Sequence, residues 1–152
     1  MKLLGIVLLA ALAVAQTGSG VAGFKLWKAS ELKSIDSGIK TSGPMKIGGQ
    51  SLAKFDNHTF SMSKREGDGE AEVHEKVADV FMGVSGEATL VVGGKVKSPR
   101  TTGPGEVRGP SIEGGEKHTL GVGDVVHIPA NVPHQLLVSK TYTYFVIKVD
   151  AK

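Results

Sequence analysis

The chain has 152 residues, a formal net charge of +3 and no cysteine. A chain of this length forms one domain with a sizeable core, and the lack of cysteine excludes a small module held together by disulfides. Lys and Arg are interspersed with Asp and Glu and form no basic stripe with interleaved aromatic residues, so the composition argues against a nucleic-acid-binding protein.

The N-terminal segment has the three parts of a secretory signal peptide. Lys2 precedes an apolar run over about residues 3–13, and the sequence AVAQ that ends the segment is a site of small residues suited to cleavage. The run is shorter than the roughly 20 residues that a membrane-spanning helix needs, and an uncleaved anchor is the alternative. We predict a signal peptide over residues 1–15, a secreted or periplasmic protein, and no membrane span after cleavage.

Residues 16–49 are predicted to contain a flexible linker and one short helical segment. The helix is expected over residues 26–35, with Ser30 as its N-cap and the acidic Glu31 in its first turn. Trp27 lies at the start of this segment, where a single Trp is more often a packing anchor than a platform for a ligand.

Residues 50–150 carry short alternating or apolar segments separated by turn residues. Many short strands at close spacing with Gly-rich turns predict an all-β sandwich or barrel. The predicted strands cover residues 58–65, 70–74, 77–84, 87–92, 117–121, 124–129, 134–139 and 141–149. In the last of them Tyr142 and Tyr144 share one face and Phe145 takes the other, and we expect Phe145 to belong to the core.

Residues 98–116 interrupt this pattern with three Pro and five Gly. Because proline cannot donate a hydrogen bond to a neighbouring strand, we predict that the segment holds no central strand and forms a long loop. Arg100 and Arg108 lie in it and are candidates to contact an anionic ligand. The alternative is a solvated loop with charged tips.

The sequence GDVVHIPANVPHQ, residues 123–135, predicts a rigid corner that orients His134. Pro129 and Pro133 restrict the backbone on both sides of the corner, and Asn131 tolerates a positive φ better than most residues. A metal ligand benefits from this rigidity more than a surface histidine does. The alternative is an imidazole that is hydrogen-bonded inside a barrel.

A second group of candidate ligands lies in GEAEVHEKVADV, residues 69–80. On a strand, Glu72 and His74 point to the same face because they are two residues apart, and Asp79 follows near the start of the next strand. Together with His134 they form a set of nitrogen and oxygen donors that suits iron, manganese, nickel or zinc. The alternatives are that Asp79 only orients a ligand histidine and that Glu72 is a solvated carboxylate at a strand edge.

These two groups resemble the two signature halves of the cupin superfamily. In the first half, Glu72 and His74 stand at the positions of the two histidines of the motif. Asp79 stands at the position of its glutamate, and Gly86 follows at the position of its glycine.

The second half matches the motif more closely. Gly123, Pro129 and His134 have the spacing of the family. Asn131 replaces the glycine of the turn, which is a mild change because both residues accept a positive φ. Val138 replaces the terminal asparagine.

The resemblance covers about residues 50–150 and implies a cupin-type jelly-roll β-barrel with the short helical segment packed outside. It also implies a divalent metal ion bound by Glu72, His74, Asp79 and His134. Relative to the family motif, this set has two histidines and two carboxylates instead of three histidines and one carboxylate. Such a set either still binds a divalent metal or marks a site that has lost it.

Three functions are compatible with these observations. The first is a metal-dependent protein that binds or acts on a small oxygen-rich molecule; its substrate and reaction are not readable, and whether it is an enzyme stays open. The second is a metal-free module that binds a small ligand such as a sugar or a hydrophobic acid. The third is a structural cupin that pairs as a homodimer.

If histidines bind a metal, its occupancy is expected to fall below about pH 6.

Overall fold

The computed structural model describes residues 20–151, within which the chain forms one helix and thirteen strands. The elements are α1 (Ala29–Gly38), β1 (Ile47–Lys54), β2 (His58–Arg65), β3 (Ala71–His74), β4 (Val77–Gly86), β5 (Ala88–Val92), β6 (Lys95–Val96), β7 (Arg100–Gly103), β8 (Glu106–Gly109), β9 (Ile112–Glu113), β10 (Glu116–Leu120), β11 (Val125–Ile128), β12 (His134–Leu137) and β13 (Tyr142–Asp150). The signal peptide predicted over residues 1–15 lies outside the described residues. No helix in the described part of the chain is long and apolar enough to cross a membrane.

The strands form two larger antiparallel sheets and one small pair. One sheet has five strands in the order β1-β2-β13-β4-β11, and the other has six in the order β10-β5-β12-β3-β8-β7. The strands β6 and β9 form the pair. The chain crosses repeatedly between the two larger sheets, because β3, β5 and β12 lie in one and β4, β11 and β13 in the other. This is a jelly-roll arrangement, and the predicted all-β fold class is confirmed.

Each of the eight predicted strands is present, but β1 and β6–β9 are not predicted by the sequence pattern. The expectation that residues 98–116 hold no central strand is wrong, because β8 lies between β3 and β7 in the six-stranded sheet. The prolines of this segment fall before β7, between β7 and β8, and after β8. They therefore mark the turns between short strands, where a missing N–H is tolerated.

The hydrophobic core lies between the two larger sheets. Its buried members are Phe81, Ala88, Leu90, Leu120, Ile128, Leu136, Val138, Tyr142, Tyr144 and Val146. Because side chains alternate along a strand, the even-numbered residues of β13 face this core. The expectation for Phe145 is wrong, since it lies half-buried on the outer face of the sheet with its ring centroid 5.6 Å from that of Phe60.

The N-terminal segment covers part of this outer face. The ring of Trp27 stacks on Phe60 with centroids 5.4 Å apart, so Trp27 is the packing anchor that was predicted. Near the end of α1, Asp36 accepts a hydrogen bond from Thr143 Oγ1 at 2.9 Å and lies 2.7 Å from Lys64 Nζ. These contacts attach the helix to β2 and β13.

The helix begins at Ala29, and Ser30 lies inside it instead of at the N-cap. The backbone N–H of Lys28 donates to the Glu31 carboxylate at 2.7 Å. This glutamate satisfies an N–H at the start of the helix, which is the role that the sequence assigns to the hydroxyl of Ser30.

Candidate metal centre

Four polar side chains converge between the two larger sheets. Glu72 and His74 come from β3, Asp79 from β4 and His134 from β12. Nε2 of His74 lies 3.3 Å from Glu72 Oε2 and 3.4 Å from Asp79 Oδ2. Nε2 of His134 also lies 3.4 Å from Asp79 Oδ2. The structure therefore brings together the four residues that the sequence analysis names as candidate ligands.

Strand register explains how these side chains meet. Glu72 and His74 are two residues apart on β3 and point to the same face. On one side of β3, His134 of β12 pairs with Glu72. On the other side, β8 places Arg108 opposite Glu72 and Glu106 opposite His74. The segment predicted to be a loop thus supplies two side chains to the site.

The corner before His134 is bonded to the strand that carries His74. Asn131 has a φ of 66°, the left-handed conformation expected at this position. Its backbone N–H donates to the carbonyl oxygen of His74 at 2.8 Å, and its side-chain amide donates to the carbonyl oxygen of Glu75 at 3.2 Å. The corner therefore holds the start of β12 against the end of β3.

Both imidazoles are oriented by a partner at Nδ1. Nδ1 of His134 lies 3.1 Å from the carbonyl oxygen of Val132, and Nδ1 of His74 lies 2.7 Å from Glu106 Oε2. Since a carbonyl and a carboxylate only accept hydrogen bonds, we assign the N–H to Nδ1 in both rings. Nε2 is then the nitrogen that takes up a proton or a metal ion, and in both rings it faces the centre of the site.

The residues present fit a bound metal ion. Glu72, His74 and His134 each offer one ligand atom, and these atoms lie within 4.8 Å of one another. Nε2 of His134 is buried and makes no hydrogen bond to any residue in the range 20–151. Its neighbour Asp79 Oδ2 lies 3.4 Å away, in a contact that does not form a hydrogen bond. A buried nitrogen without a hydrogen bond is costly, and a metal ion at this point would provide a partner.

A lysine also reaches the site. Nζ of Lys148 lies 2.9 Å and 3.1 Å from the two carboxylate oxygens of Asp79. It lies 3.0 Å from Nε2 of His74. Lys148 thus places a positive charge beside two of the candidate ligands.

Two arginines neutralise Glu72 from another direction. Arg108 lies 2.7 Å from Glu72 Oε1, and Arg65 lies 3.7 Å from the same oxygen. Arg65 Nε also donates to the hydroxyl of Tyr144 at 3.0 Å. Arg65 passes close to Gly69, where a Cβ would lie only 2.9 Å from its Nη1. The absence of a side chain at residue 69 thus makes room for the guanidinium.

The charges of the site shift its pKa values. Burial alone would raise the pKa of Glu72, but His74 and Arg108 lower it to about 2. The pKa of Asp79 is likewise lowered far below its usual range, since contacts with His134 and His74 outweigh burial. Burial would lower the pKa of His74, but Asp79 and Glu72 raise it to about 9. A metal ion therefore has to compete with a proton on His74 at neutral pH.

Sequence reasoning does not find Lys148 or Glu106 as members of the site, and it treats Arg108 only as a possible contact for an anion. One signal was present: Lys148 continues the even-numbered row of β13 in which Tyr142 and Tyr144 face inward. No comparable signal exists for Glu106 and Arg108, because their contacts depend on the pairing of β8 with β3.

The other three histidines do not join this group. His118 and His127 are exposed. His118 lies 3.3 Å from the Glu116 carboxylate, and His58 stacks on Phe55 with ring centroids 4.5 Å apart.

No family model and no curated protein matches the chain. Among solved structures, KdgF from Halomonas sp. is similar with a TM-score of 0.54 and 15% identity, over 75% of this chain and 88% of that one. The protein TT1209 from Thermus thermophilus has a TM-score of 0.55 and 17% identity, over 80% of this chain and 95% of that one. A cupin-2 domain protein from Shewanella frigidimarina has a TM-score of 0.48 and 17% identity, over 66% of this chain and 78% of that one. The chain has the cupin fold, as its sequence resemblance implies; identities this low show the fold alone.

Proposed function

We propose that this cupin-fold protein is exported and holds a divalent metal ion in its barrel, where it binds or acts on a small oxygen-rich molecule. The observation that carries the proposal is the pair of inward-facing Nε2 atoms on His74 and His134. One of them, that of His134, is buried without a hydrogen bond to any described residue. Export is supported by the signal-like sequence of residues 1–15.

The donor set favours iron, manganese, nickel or zinc. Glu72, His74 and His134 would hold the ion, with Asp79 as a fourth ligand, and two imidazoles with carboxylates suit these metals better than calcium. When bound, the ion would supply Lewis acidity and an attachment point for an oxygen of the ligand. Glu106 holds the ring of His74 through Nδ1, at 2.7 Å, in the orientation that binding requires.

Water is restricted on the core side of the site. The ring of Phe81 lies edge-on to that of His134 with centroids 6.1 Å apart, and it packs on Tyr144 at 5.2 Å. Both Phe81 and Tyr144 are buried. A ligand would therefore approach from the side of Lys148 and Arg108, whose side chains are 39% and 28% exposed. Their charges favour a ligand with anionic or strongly polar oxygens.

The test is elemental analysis of the purified chain beside a His74→Ala/His134→Ala double variant. We expect about one metal ion per wild-type chain and none in the double variant, because both imidazoles are lost. His118→Ala/His127→Ala is the matched control, since it removes two exposed histidines and should keep the metal. Metal-free wild-type protein, even after incubation with each of the four metals, would contradict the proposal.

A second candidate function is a metal-free cupin that binds a small ligand or acts structurally. The observation that favours it is the contact of Lys148 with Asp79 and His74, because an ammonium group already neutralises part of the site. This function predicts that small organic acids raise the melting temperature of chelator-treated protein. A metal-dependent rise alone would instead favour the first proposal.

A further inference from the structure

Lys148 lies among the candidate ligand atoms and not merely near them. Its Nζ is within 3.1 Å of both carboxylate oxygens of Asp79 and of Nε2 of His74. Lys148 on β13 is directly paired with Asp79 on β4, so the contact follows from the strand register. The ammonium group therefore stands against the Asp79 carboxylate and at the Nε2 atom through which His74 would hold a metal ion.

We propose that Lys148 is an internal cation that competes with the divalent metal ion for Asp79 and His74. The inference rests on the proposed function, because it concerns the same metal site. The ammonium group occupies the space beside Asp79 and Nε2 of His74 that a metal ion held by these residues would need, and two positive charges so close together would repel each other strongly in a buried site. The metal ion binds when the ammonium group leaves, and the ammonium group returns when the metal is removed.

The two arginines do not compete in this way. Arg108 and Arg65 approach Oε1 of Glu72, at 2.7 Å and 3.7 Å, whereas Oε2 of Glu72 is the oxygen 3.3 Å from His74. They neutralise Glu72 on the side away from the imidazole and can stay in place when a metal ion binds. Of the three cations, Lys148 alone contacts a candidate histidine ligand.

Lys148 is also the cation best able to move. Its side chain is 39% exposed, whereas that of Asp79 is 2% exposed. The flexible four-carbon stem can carry the ammonium group into water without any movement of β13. Arg65, by contrast, is buried and hydrogen-bonded to Tyr144.

The first test titrates Zn²⁺ into the chelator-treated full chain by isothermal titration calorimetry. Lys148→Met keeps an unbranched side chain and removes the charge, so we expect it to bind Zn²⁺ at least about tenfold more tightly than wild type. Lys148→Arg keeps the charge and should show no such gain. Lys64→Met is the matched control, because it removes an ion-paired lysine that contacts Asp36 of the helix, and it should leave the affinity unchanged.

The second test uses the wild-type chain and does not depend on the folding of a variant. The acylation rate of the Lys148 amine is followed by peptide mass spectrometry with and without Zn²⁺. Displacement by the metal should raise this rate several-fold, with Lys64 as the internal reference. An amine that is held by a carboxylate reacts more slowly than one in water.

The outcomes separate the inference from the proposed function. Zn²⁺ affinity that is equal or weaker in Lys148→Met, with acylation unaffected by Zn²⁺, would overturn the inference and leave the metal site standing. Zn²⁺ binding by Lys148→Met alone would support the competition and overturn metal binding by the native chain. If neither chain binds Zn²⁺, both are overturned.

Discussion

Two aspartates of this protein are each held by a lysine, one on each face of the five-stranded sheet. On the outer face, Lys64 lies 2.7 Å from Asp36 of the helix, and Thr143 donates to the same carboxylate. On the inner face, Lys148 lies 2.9 Å from Asp79, whose other neighbours are two histidines. The described side chains that contact the outer aspartate are hydrogen-bond donors, and these contacts attach the helix. The inner aspartate shares its space with two imidazole nitrogens, so it belongs to the candidate metal centre.

The two ion pairs also differ in burial, and therefore in what the loss of one charge costs in stability. The side chain of Asp36 is 22% exposed and that of Asp79 is 2% exposed. A partly solvated ion pair contributes little because water competes for both charges. Removal of one charge from a buried group leaves its partners uncompensated and is far more costly.

The largest expected effect comes from the isosteric change Asp79→Asn. In metal-free protein at neutral pH it should lower the free energy of unfolding by about 3 kcal/mol, since Lys148 and a protonated His74 lose their common counter-charge. The matched change Asp36→Asn should cost less than about 1 kcal/mol. Urea denaturation of both variants measures the difference. Equal losses of unfolding free energy in the two variants would show that the buried ion pair contributes no more to stability than the partly exposed one.

The pH dependence of stability sharpens the comparison. The pKa of His74 is raised from 6.5 to about 9 in the folded protein, so its contribution is complete below pH 6.5 and is lost as the pH rises through 9. The metal-free chain should lose about 3 kcal/mol of unfolding free energy over this window. The pKa of Asp36 is instead lowered from 3.8, so its contribution is present above that value and is lost only in acid.

Urea denaturation between about pH 6 and pH 10 in the presence of a chelator tests this expectation, with His74→Gln as the control that should flatten the profile. The same proton opposes metal binding. The apparent affinity for a metal ion should therefore begin to fall as the pH drops below about 9, earlier than the value of about pH 6 expected for an unperturbed histidine. If the unfolding free energy depends on pH in the same way in wild type and in His74→Gln, the raised pKa of His74 is contradicted.

The smallest expected effect concerns Arg65, the buried arginine beside Glu72 in the candidate metal centre. In Gly69→Ala the new Cβ would lie 2.9 Å from Nη1 of Arg65, so the buried guanidinium must shift. We expect a loss of about 1–2 kcal/mol in urea denaturation and a modestly weaker metal affinity. In the control Gly67→Ala the nearest atom is the carbonyl oxygen of Met45 at 3.4 Å. A Gly69→Ala chain as stable as this control would show that Arg65 is not tightly held.

Local conformational preferences explain why part of the site could be predicted. The positive φ of Asn131 and the position of His134 after Pro133 follow from backbone restrictions that act within a few residues. The shared face of Glu72 and His74 follows from the two-residue period of a strand. These local preferences also allow the turns and most of the strands to be predicted from the sequence.

Contacts between distant segments could not be predicted in this way. Glu106 and Arg108 reach the site only because β8 pairs with β3 in one register, and short strands between prolines resemble a loop when they are considered alone. Strand periodicity places Phe145 opposite Tyr142 and Tyr144 but does not say which face is covered by the second sheet. For this reason Phe145, which was expected in the core, lies on the outer face of the five-stranded sheet.

The amino-acid sequence by itself therefore determined the all-β class, the rigid corner and the four candidate ligands, because each depends on local backbone chemistry or on spacing within a strand. Only the tertiary structure decided which face of β13 is buried and that Lys148 stands between Asp79 and His74. Charges that are far apart in the chain become neighbours through strand pairing, and their mutual distance in a buried space sets their pKa values.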